Sequence, residues 1–180
     1  MRREVRFAGF GGQGIVLAGH IAGKAAAVYD NMEAVMTQSY GPEARGGASA
    51  AELALDDKFI DYPLISQPDV TVILSQEAYE RYIGQAKEKS IIILEEDLVE
   101  SPLQGENVYR IPFTRLAEEV GRRIVTNIVM LGAFTALAGV ISKEAMMEAV
   151  RTTVPAKTIE LNTKAFETGY DYALRQKEGP

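Results

Sequence analysis

The sequence predicts an α/β fold: a single-domain, Rossmann-like open sheet, mostly parallel and flanked by helices, with a helical C-terminal third. Short apolar runs typical of buried strands alternate with longer segments of helical character. Glycine clusters follow the first two predicted strands, as they do where strands end at a binding edge. A chain of 180 residues is long enough for one well-packed domain. We therefore expect one domain over residues 1–176 and a frayed tail at 177–180.

Most of the predicted strands lie in the first half of the chain. Arg3–Phe10 is predicted as a strand that leads directly into glycines, followed by a helix at 12–28 that is rich in small residues. Further strands are predicted at 33–39, 48–55, 70–74, 90–94 and 107–111, with a short helix at 76–83. The connection between strands 33–39 and 48–55 is too short for a crossover helix, so we expect them to pair antiparallel.

The remainder of the chain is predicted to be helical, at 114–120, 125–138, 143–150 and 156–175, with Thr114 as an N-cap. Residues 124–141 form an uncharged run of 18 residues, which reaches the threshold length of a membrane-spanning helix. Gly139 resembles a helix C-cap and Ser142 the N-cap of the next helix, so these residues divide the run. We interpret it as a buried core or interface helix.

Composition excludes several classes of function. The chain has no cysteine, which excludes disulfides and thiolate ligation of zinc or an iron–sulfur cluster. His20 is the only histidine, so a multi-histidine metal site is excluded, and we expect this residue to be packed or at a rim. A net charge of −6 disfavours nucleic acid as a partner. The N-terminus lacks the long apolar stretch of a signal peptide, which favours the cytoplasm.

The first glycine motif follows the first predicted strand and matches G-x-G-x-x-G. Its candidate binding residues are Gly9, Gly11, Gly12, Gln13 and Gly14. Glycines permit a tight turn there, and the start of the following helix offers free N–H groups to an anion. A dinucleotide site also needs an acid at the end of the second strand, which ends here in QSY, so NAD binding is disfavoured. A tight turn that binds no nucleotide remains an alternative.

The second glycine motif, YGPEARGG, spans residues 40–47 and should lie beside the first at the carboxyl edge of the sheet. Its candidate residues are Tyr40, Glu43, Arg45, Gly46 and Gly47. The Arg45 guanidinium is suited to a bidentate contact with a phosphate or carboxylate, and Glu43 to orienting it. The alternative for Arg45 is a solvated surface turn. Asn127, within an apolar helix, is expected to find a hydrogen-bond partner in the core.

Together, the two motifs resemble the gamma subunit of 2-oxoacid:ferredoxin oxidoreductases. Further stretches of similar sequence follow in the order that this family has, namely PDVTVILSQEAY at 68–79, IPFTRLAEEVG at 111–121, TNIVMLGAF at 126–134 and ELN at 160–162. The resemblance covers nearly the whole chain. It implies a subunit, without redox groups of its own, of an enzyme that decarboxylates a 2-oxoacid to an acyl-CoA and reduces ferredoxin. The form SYGPEARGG is most similar to the 2-oxoglutarate type.

The resemblance also implies cofactors and partners. Thiamine diphosphate, magnesium and iron–sulfur clusters would belong to catalytic alpha and beta subunits and a ferredoxin-like subunit, while this chain would contact coenzyme A and hold no metal. An isolated chain is then expected to be inactive, and a homodimer is one form it would take. Two alternatives remain: a stand-alone nucleotide-binding, Rossmann-like oxidoreductase, and a purely structural partner that binds no small molecule.

Overall fold

A computed structural model of the protein describes residues 1–40 and 47–179. Its centre is a six-stranded sheet in the order β2-β3-β1-β4-β5-β6. The strands are β1 (Arg3–Phe10), β2 (Glu33–Tyr40), β3 (Ala48–Asp56), β4 (Val70–Ile73), β5 (Ile91–Glu95) and β6 (Val108–Ile111). The predicted α/β class is confirmed, and each predicted strand lies within one or two residues of its predicted bounds.

The two halves of the sheet differ in strand direction. β1, β4, β5 and β6 run parallel to one another, whereas β3 is antiparallel both to β2 and to β1. The predicted antiparallel pairing of the second and third strands is therefore confirmed. It has a consequence for the first glycine motif, because β3 separates β1 from β2. In the dinucleotide fold these two strands are direct neighbours.

A buried ion pair joins β1 to β3 across the sheet. Arg6 lies opposite Glu52, and its Nη2 is 2.7 Å from the Glu52 Oε1. Thr37 of β2 donates a hydrogen bond of 3.4 Å to the other carboxylate oxygen. The Arg6 guanidinium also lies 5.0 Å from the ring centroid of Tyr82. The charge is thus paired and stacked, as burial of a charge requires.

The described residues also form six α-helices. They are α1 (Ile15–Lys24), α2 (Gln76–Tyr82), α3 (Phe113–Val120), α4 (Thr126–Ala138), α5 (Lys143–Thr153) and α6 (Ile159–Glu178), and a π-helical turn, Ala25–Tyr29, extends α1. The N-cap at Ser142 is confirmed by its hydrogen bond from the Ala145 N–H, and the C-cap at Gly139 by a φ of +60°.

Several helix boundaries differ from the predictions, and α5 in addition extends to Thr153 and α6 begins at Ile159. α1 begins at Ile15 rather than residue 12, because the glycines before it adopt backbone conformations outside the helix. Thr114 is not an N-cap, because α3 begins one residue earlier, after Pro112. α6 extends to Glu178, where the Gln176 side chain donates to the Arg110 carbonyl oxygen of β6 at 2.9 Å.

Helix α4 lies within the largest cluster of buried apolar side chains. Its residues from Thr126 to Leu137 are all buried. The Phe134 ring packs edge-on against Phe7 of β1 at a centroid distance of 5.0 Å. The interpretation of the apolar run as a buried helix is confirmed. No helix in the described ranges has both the length and the apolar character needed to cross a membrane.

Two glycines allow α6 to cross α4 in direct backbone contact. A Cβ added to Gly132 would lie 2.1 Å from the Phe166 carbonyl oxygen, and one added to Gly169 would lie 1.9 Å from that of Val129. Neither position has a positive φ, so close approach alone requires glycine there. The α4–α6 contact therefore depends on the absence of two side chains.

We expect Gly132→Ala to lower the free energy of unfolding by about 3 kcal/mol, because backbone atoms of α6 cannot rotate away from the new methyl group. Urea denaturation measures this change. Gly84→Ala is the matched control, since a Cβ at Gly84 would meet nothing within 4 Å. Equal stability of both variants would contradict the close crossing.

Candidate binding site

The first glycine loop connects the end of β1 to the start of α1. Gly12 and Gly14 have φ values of +93° and +74°, in the region that side chains other than glycine rarely adopt. Gly14 is also the N-cap of α1. Two of the predicted glycines are therefore required by the backbone itself.

Gln13 holds the loop in place from within. Its Oε1 accepts a hydrogen bond of 2.9 Å from the Phe10 N–H, and its Nε2 donates one of 2.9 Å to the Leu74 carbonyl oxygen. A Cβ at Gly9 would lie 2.4 Å from that Oε1, so Gly9 leaves room for the Gln13 amide. The side chain thereby ties the loop to the residue that follows β4.

Asn127 of α4 supports the loop from beneath. Its Nδ2 donates to the Gly14 carbonyl oxygen at 3.3 Å, which confirms the hydrogen-bond partner expected for this residue. A Cβ on Gly14 would lie 2.5 Å from the same nitrogen. Gly14 is thus fixed by its conformation and by its neighbour.

Gly11 has no such structural reason to be a glycine. A Cβ there would meet nothing within 4 Å in the part of the chain that the structure describes, and its φ is not positive. The residue is exposed at the tip of the loop. Its bare backbone is free to be approached closely from outside.

A cleft of about 370 Å³ opens where the starts of three helices converge. Gly12 and Gln13 precede α1, Thr114 lies in the first turn of α3, and Thr126 begins α4. Free N–H groups and the helix dipole favour negative charge at the start of α1, whereas the Thr114 N–H of α3 is already bound by the Glu95 carboxylate. Arg123 adds a full positive charge to the lining. The cleft is therefore suited to an anionic group.

A second cavity of about 300 Å³ adjoins the first and shares Gly12 and Ile124 with it. Ile124 is 74% exposed between the two. The walls of the second cavity are mainly apolar, and two buried amides, Asn127 and Asn162, are part of them. The two cavities together would suit a molecule with an anionic group joined to an uncharged segment.

The second glycine motif begins and ends at the same edge of the sheet as the first. Tyr40 of β2 lies opposite Ser49 of β3, which lies opposite Gly9 of β1. Gly47 directly precedes β3. The predicted Glu43, Arg45 and Gly46 lie outside the described residues. Two strand spacings, roughly 10 Å, separate Tyr40 from Gly9.

Sequence reasoning missed the segment that joins α3 to α4. Arg123 and Ile124 line the cleft, yet neither was predicted as a site residue. The signal was present as two adjacent arginines immediately before a long uncharged run.

His20 is exposed on α1. Over residues 1–40 and 47–179, no group of three or more His, Cys, Asp or Glu side chains is placed to hold a metal ion.

Glu95 is a fully buried carboxylate that sequence reasoning also missed. It ends β5 and accepts hydrogen bonds from the Thr114 N–H at 2.9 Å and from the Thr114 hydroxyl at 3.1 Å. Burial raises its pKa above the ordinary value for a glutamate, against the opposing effect of these hydrogen bonds. Glu95 thus takes the place of an N-cap side chain for α3 and fixes one wall of the cleft.

Comparisons with known proteins agree along the whole chain. Residues 4–172 match the family described as pyruvate ferredoxin/flavodoxin oxidoreductase. A 2-oxoglutarate synthase subunit KorC from Methanocaldococcus jannaschii is 53% identical over 96% of this chain and 95% of its own. A pyruvate synthase subunit PorC from the same organism is 33% identical over 96% and 98%.

A solved structure shares the fold. The gamma subunit of a keto/oxoacid ferredoxin oxidoreductase from Geobacter sulfurreducens PCA superimposes with a TM-score of 0.88 at 44% identity. The match covers 97% of both chains. At this identity and coverage, the similarity extends to the whole domain.

We expect Glu95→Gln to change how stability depends on pH. Because burial raises the folded-state pKa of Glu95, its protonation favours folding, and this contribution is complete below the unfolded-state pKa. It is lost as pH rises through the folded-state pKa. The wild type should therefore lose stability relative to Glu95→Gln as pH rises across that interval, as measured by urea denaturation. Glu88→Gln, at an exposed carboxylate, controls for the loss of one charge. Parallel pH profiles for the wild type and Glu95→Gln would contradict the assignment.

Proposed function

Since the chain belongs to the pyruvate ferredoxin/flavodoxin oxidoreductase family, we propose that it is the gamma subunit of a 2-oxoglutarate:ferredoxin oxidoreductase. The observation that carries the proposal is the whole-chain similarity to a gamma subunit of known structure. Of the two relatives from one organism, the 2-oxoglutarate synthase subunit is much the more similar, which favours 2-oxoglutarate over pyruvate. A stand-alone Rossmann-like oxidoreductase is not favoured, because β3 separates β1 from β2.

In this proposal the redox chemistry belongs to other subunits. The sequence has no cysteine, so the chain offers no thiolate to an iron–sulfur cluster. Catalytic alpha and beta subunits and a ferredoxin-like subunit would carry thiamine diphosphate, magnesium and the clusters, and ferredoxin would accept the electrons. The cytoplasm is the proposed compartment. This chain would bind and orient a substrate and exclude water from it.

The glycine-loop face, defined here as Phe10–Gly14 with Arg123 and Ile124, is the proposed contact surface. Its cleft suits the phosphates of coenzyme A or the carboxylate of the 2-oxoacid, because helix starts and Arg123 supply positive potential. The adjoining apolar cavity suits the uncharged arm of the coenzyme. We include the predicted residues Tyr40, Glu43, Arg45, Gly46 and Gly47 in this surface, since their loop begins and ends at the same sheet edge.

A purely structural role is the second candidate. Phe10, Leu17 and Ile124 are exposed to 38%, 44% and 74%, and all three line the cleft or the adjoining cavity. Exposed apolar side chains grouped in this way mark protein interfaces. In addition, the Gln13 and Asn127 amides are engaged in hydrogen bonds that hold the loop. If this candidate is correct, substitutions on the face change assembly and leave substrate affinity unaltered.

The assembly itself is tested by anaerobic affinity purification of this chain from its native cells, with mass spectrometry of the proteins that accompany it. We expect a thiamine-diphosphate-binding subunit and an iron–sulfur subunit. The purified complex should then reduce ferredoxin with 2-oxoglutarate and coenzyme A in preference to pyruvate. Recovery of the folded chain alone would contradict the proposal.

Two substitutions test whether the glycine loops reach the substrates. Arg45→Ala should raise the apparent KM for coenzyme A or the 2-oxoacid by about tenfold, the usual effect of losing a charged hydrogen bond. Gly11→Ala should also raise it without changing stability, because the added methyl group would meet nothing within 4 Å among residues 1–40 and 47–179.

Steady-state kinetics of the assembled complex measure both effects. Arg151→Ala, at an exposed arginine of α5, is the matched control. Unchanged kinetics with intact assembly in both variants would leave only the structural role.

A further inference from the structure

Two asparagines of the second cavity each use the amide nitrogen to hold backbone in place. Asn127 Nδ2 donates to the Gly14 carbonyl oxygen at 3.3 Å, and Asn162 Nδ2 donates to the Thr158 carbonyl oxygen at 2.9 Å. Because a carbonyl oxygen only accepts hydrogen bonds, these contacts determine which end of each amide carries the nitrogen. Both amides are therefore oriented by the chain itself, one by the glycine loop and the other by the turn that precedes α6.

Within the described part of the chain, the amide oxygens of these two asparagines have no donor. The hydrogen bonds of Asn127 and Asn162 involve only the nitrogens. The two residues are 5% and 7% exposed, and both line the cavity of about 300 Å³. A buried acceptor usually has a partner, because an unpaired one carries a desolvation penalty. Two such oxygens on one cavity therefore indicate a ligand that supplies the donors.

Most of the remaining lining is apolar. Ile128 and Leu161 contribute aliphatic side chains, the Thr158 hydroxyl donates to the Pro155 carbonyl oxygen, and Arg122 is exposed and belongs to the rim. An alkyl segment in this cavity would cover both amide oxygens without supplying a donor. A carboxylate or phosphate would bring further acceptors against them. The cavity therefore favours an uncharged segment that carries N–H or O–H groups.

The adjoining cleft has the opposite preference. Arg123 and the start of α1 supply positive charge and free N–H groups there, which suit an anionic group rich in acceptors. The cleft and the cavity share Gly12 and Ile124, so one molecule can extend from one into the other. Such a molecule must place its acceptors in the cleft and its donors in the cavity. The arrangement therefore selects for the order of these groups along the ligand.

We propose that Asn127 and Asn162 are specificity-determining residues, whose amide oxygens accept hydrogen bonds from N–H or O–H groups in the uncharged segment of the ligand. This inference rests on the proposed function, in which coenzyme A supplies that segment. The uncharged arm of coenzyme A carries two amide N–H groups, one for each asparagine. Recognition of the arm then depends on two directed hydrogen bonds as well as on apolar burial. A site built in this way rejects an analogue that lacks the donor.

Analogues of coenzyme A test these hydrogen bonds without altering the protein. In each analogue an ester oxygen replaces one of the two amide N–H groups of the arm, which removes a donor and retains the length of the arm and its thiol. Steady-state kinetics of the purified complex compare each analogue with coenzyme A. We expect each analogue to raise the apparent KM about tenfold, because one asparagine oxygen is then buried without a partner. The KM for 2-oxoglutarate should not change.

Alanine variants assign each donor to an asparagine. In Asn162→Ala, one of the two analogues should have nearly the same KM as coenzyme A, because the acceptor for that donor is gone. The other analogue should do so in Asn127→Ala. A purely structural role of either asparagine would instead change the KM for the analogues and for coenzyme A by the same factor. Asn107→Ala is the matched control, since Asn107 is exposed and outside both cavities, and it should keep the whole difference.

Equal KM values for coenzyme A and both analogues in the wild-type complex overturn the proposal, even if Asn127→Ala fails to fold. A difference that persists in both alanine variants overturns the assignment to the asparagines. A complex that does not convert 2-oxoglutarate and coenzyme A rejects the proposed function instead. The asparagines are then tested by NMR titration of the full chain with pantetheine, the uncharged arm alone. Shifted side-chain amide resonances of Asn127 and Asn162 support the recognition of donors, and unmoved resonances overturn it.

Discussion

The packing of β1, α6 and the glycine loop depends on helix α4, which is buried along almost its whole length. Phe134 fixes it against β1, and Gly132 brings the α6 backbone into contact with it. Asn127, in its first turn, holds the Gly14 carbonyl oxygen. The same helix therefore joins the core to the glycine loop, and a disturbance of its packing would move the loop as well.

The candidate site combines a rigid loop with an open cleft. The loop is held in place because the Gln13 amide donates a hydrogen bond to the Leu74 carbonyl oxygen at the end of β4. In addition, Gly12 and Gly14 adopt positive φ values that other residues rarely adopt. Arg123 and the starts of α1 and α4 line the cleft, while the Glu95 carboxylate is bound by the first turn of α3. Such fixed dipoles bind an anion without reorganising, which is the property that a substrate-orienting surface needs.

The fold class and the sheet edge at which the two glycine motifs begin could be predicted from the sequence, because strand patterns and glycine motifs are local signals. The neighbour of β1 could not, since strand order depends on long-range pairing that no short window contains. Arg123 and Ile124 escaped prediction for a related reason: the tertiary fold, and not a motif, brings them beside Gly12. Thr114 was misread as a cap because its partner, Glu95, lies 19 residues away.

The Arg6–Glu52 pair has a consequence for how the chain folds. Leu53 lies opposite Val5 and Ala51 opposite Phe7, so a slip of β3 by one residue would turn Glu52 into the apolar layer under the helices. Arg6 would then face an aliphatic side chain, and each unpaired charge would carry a penalty of several kcal/mol. The pair therefore favours the native register of β3 on β1 over a register shifted by one residue.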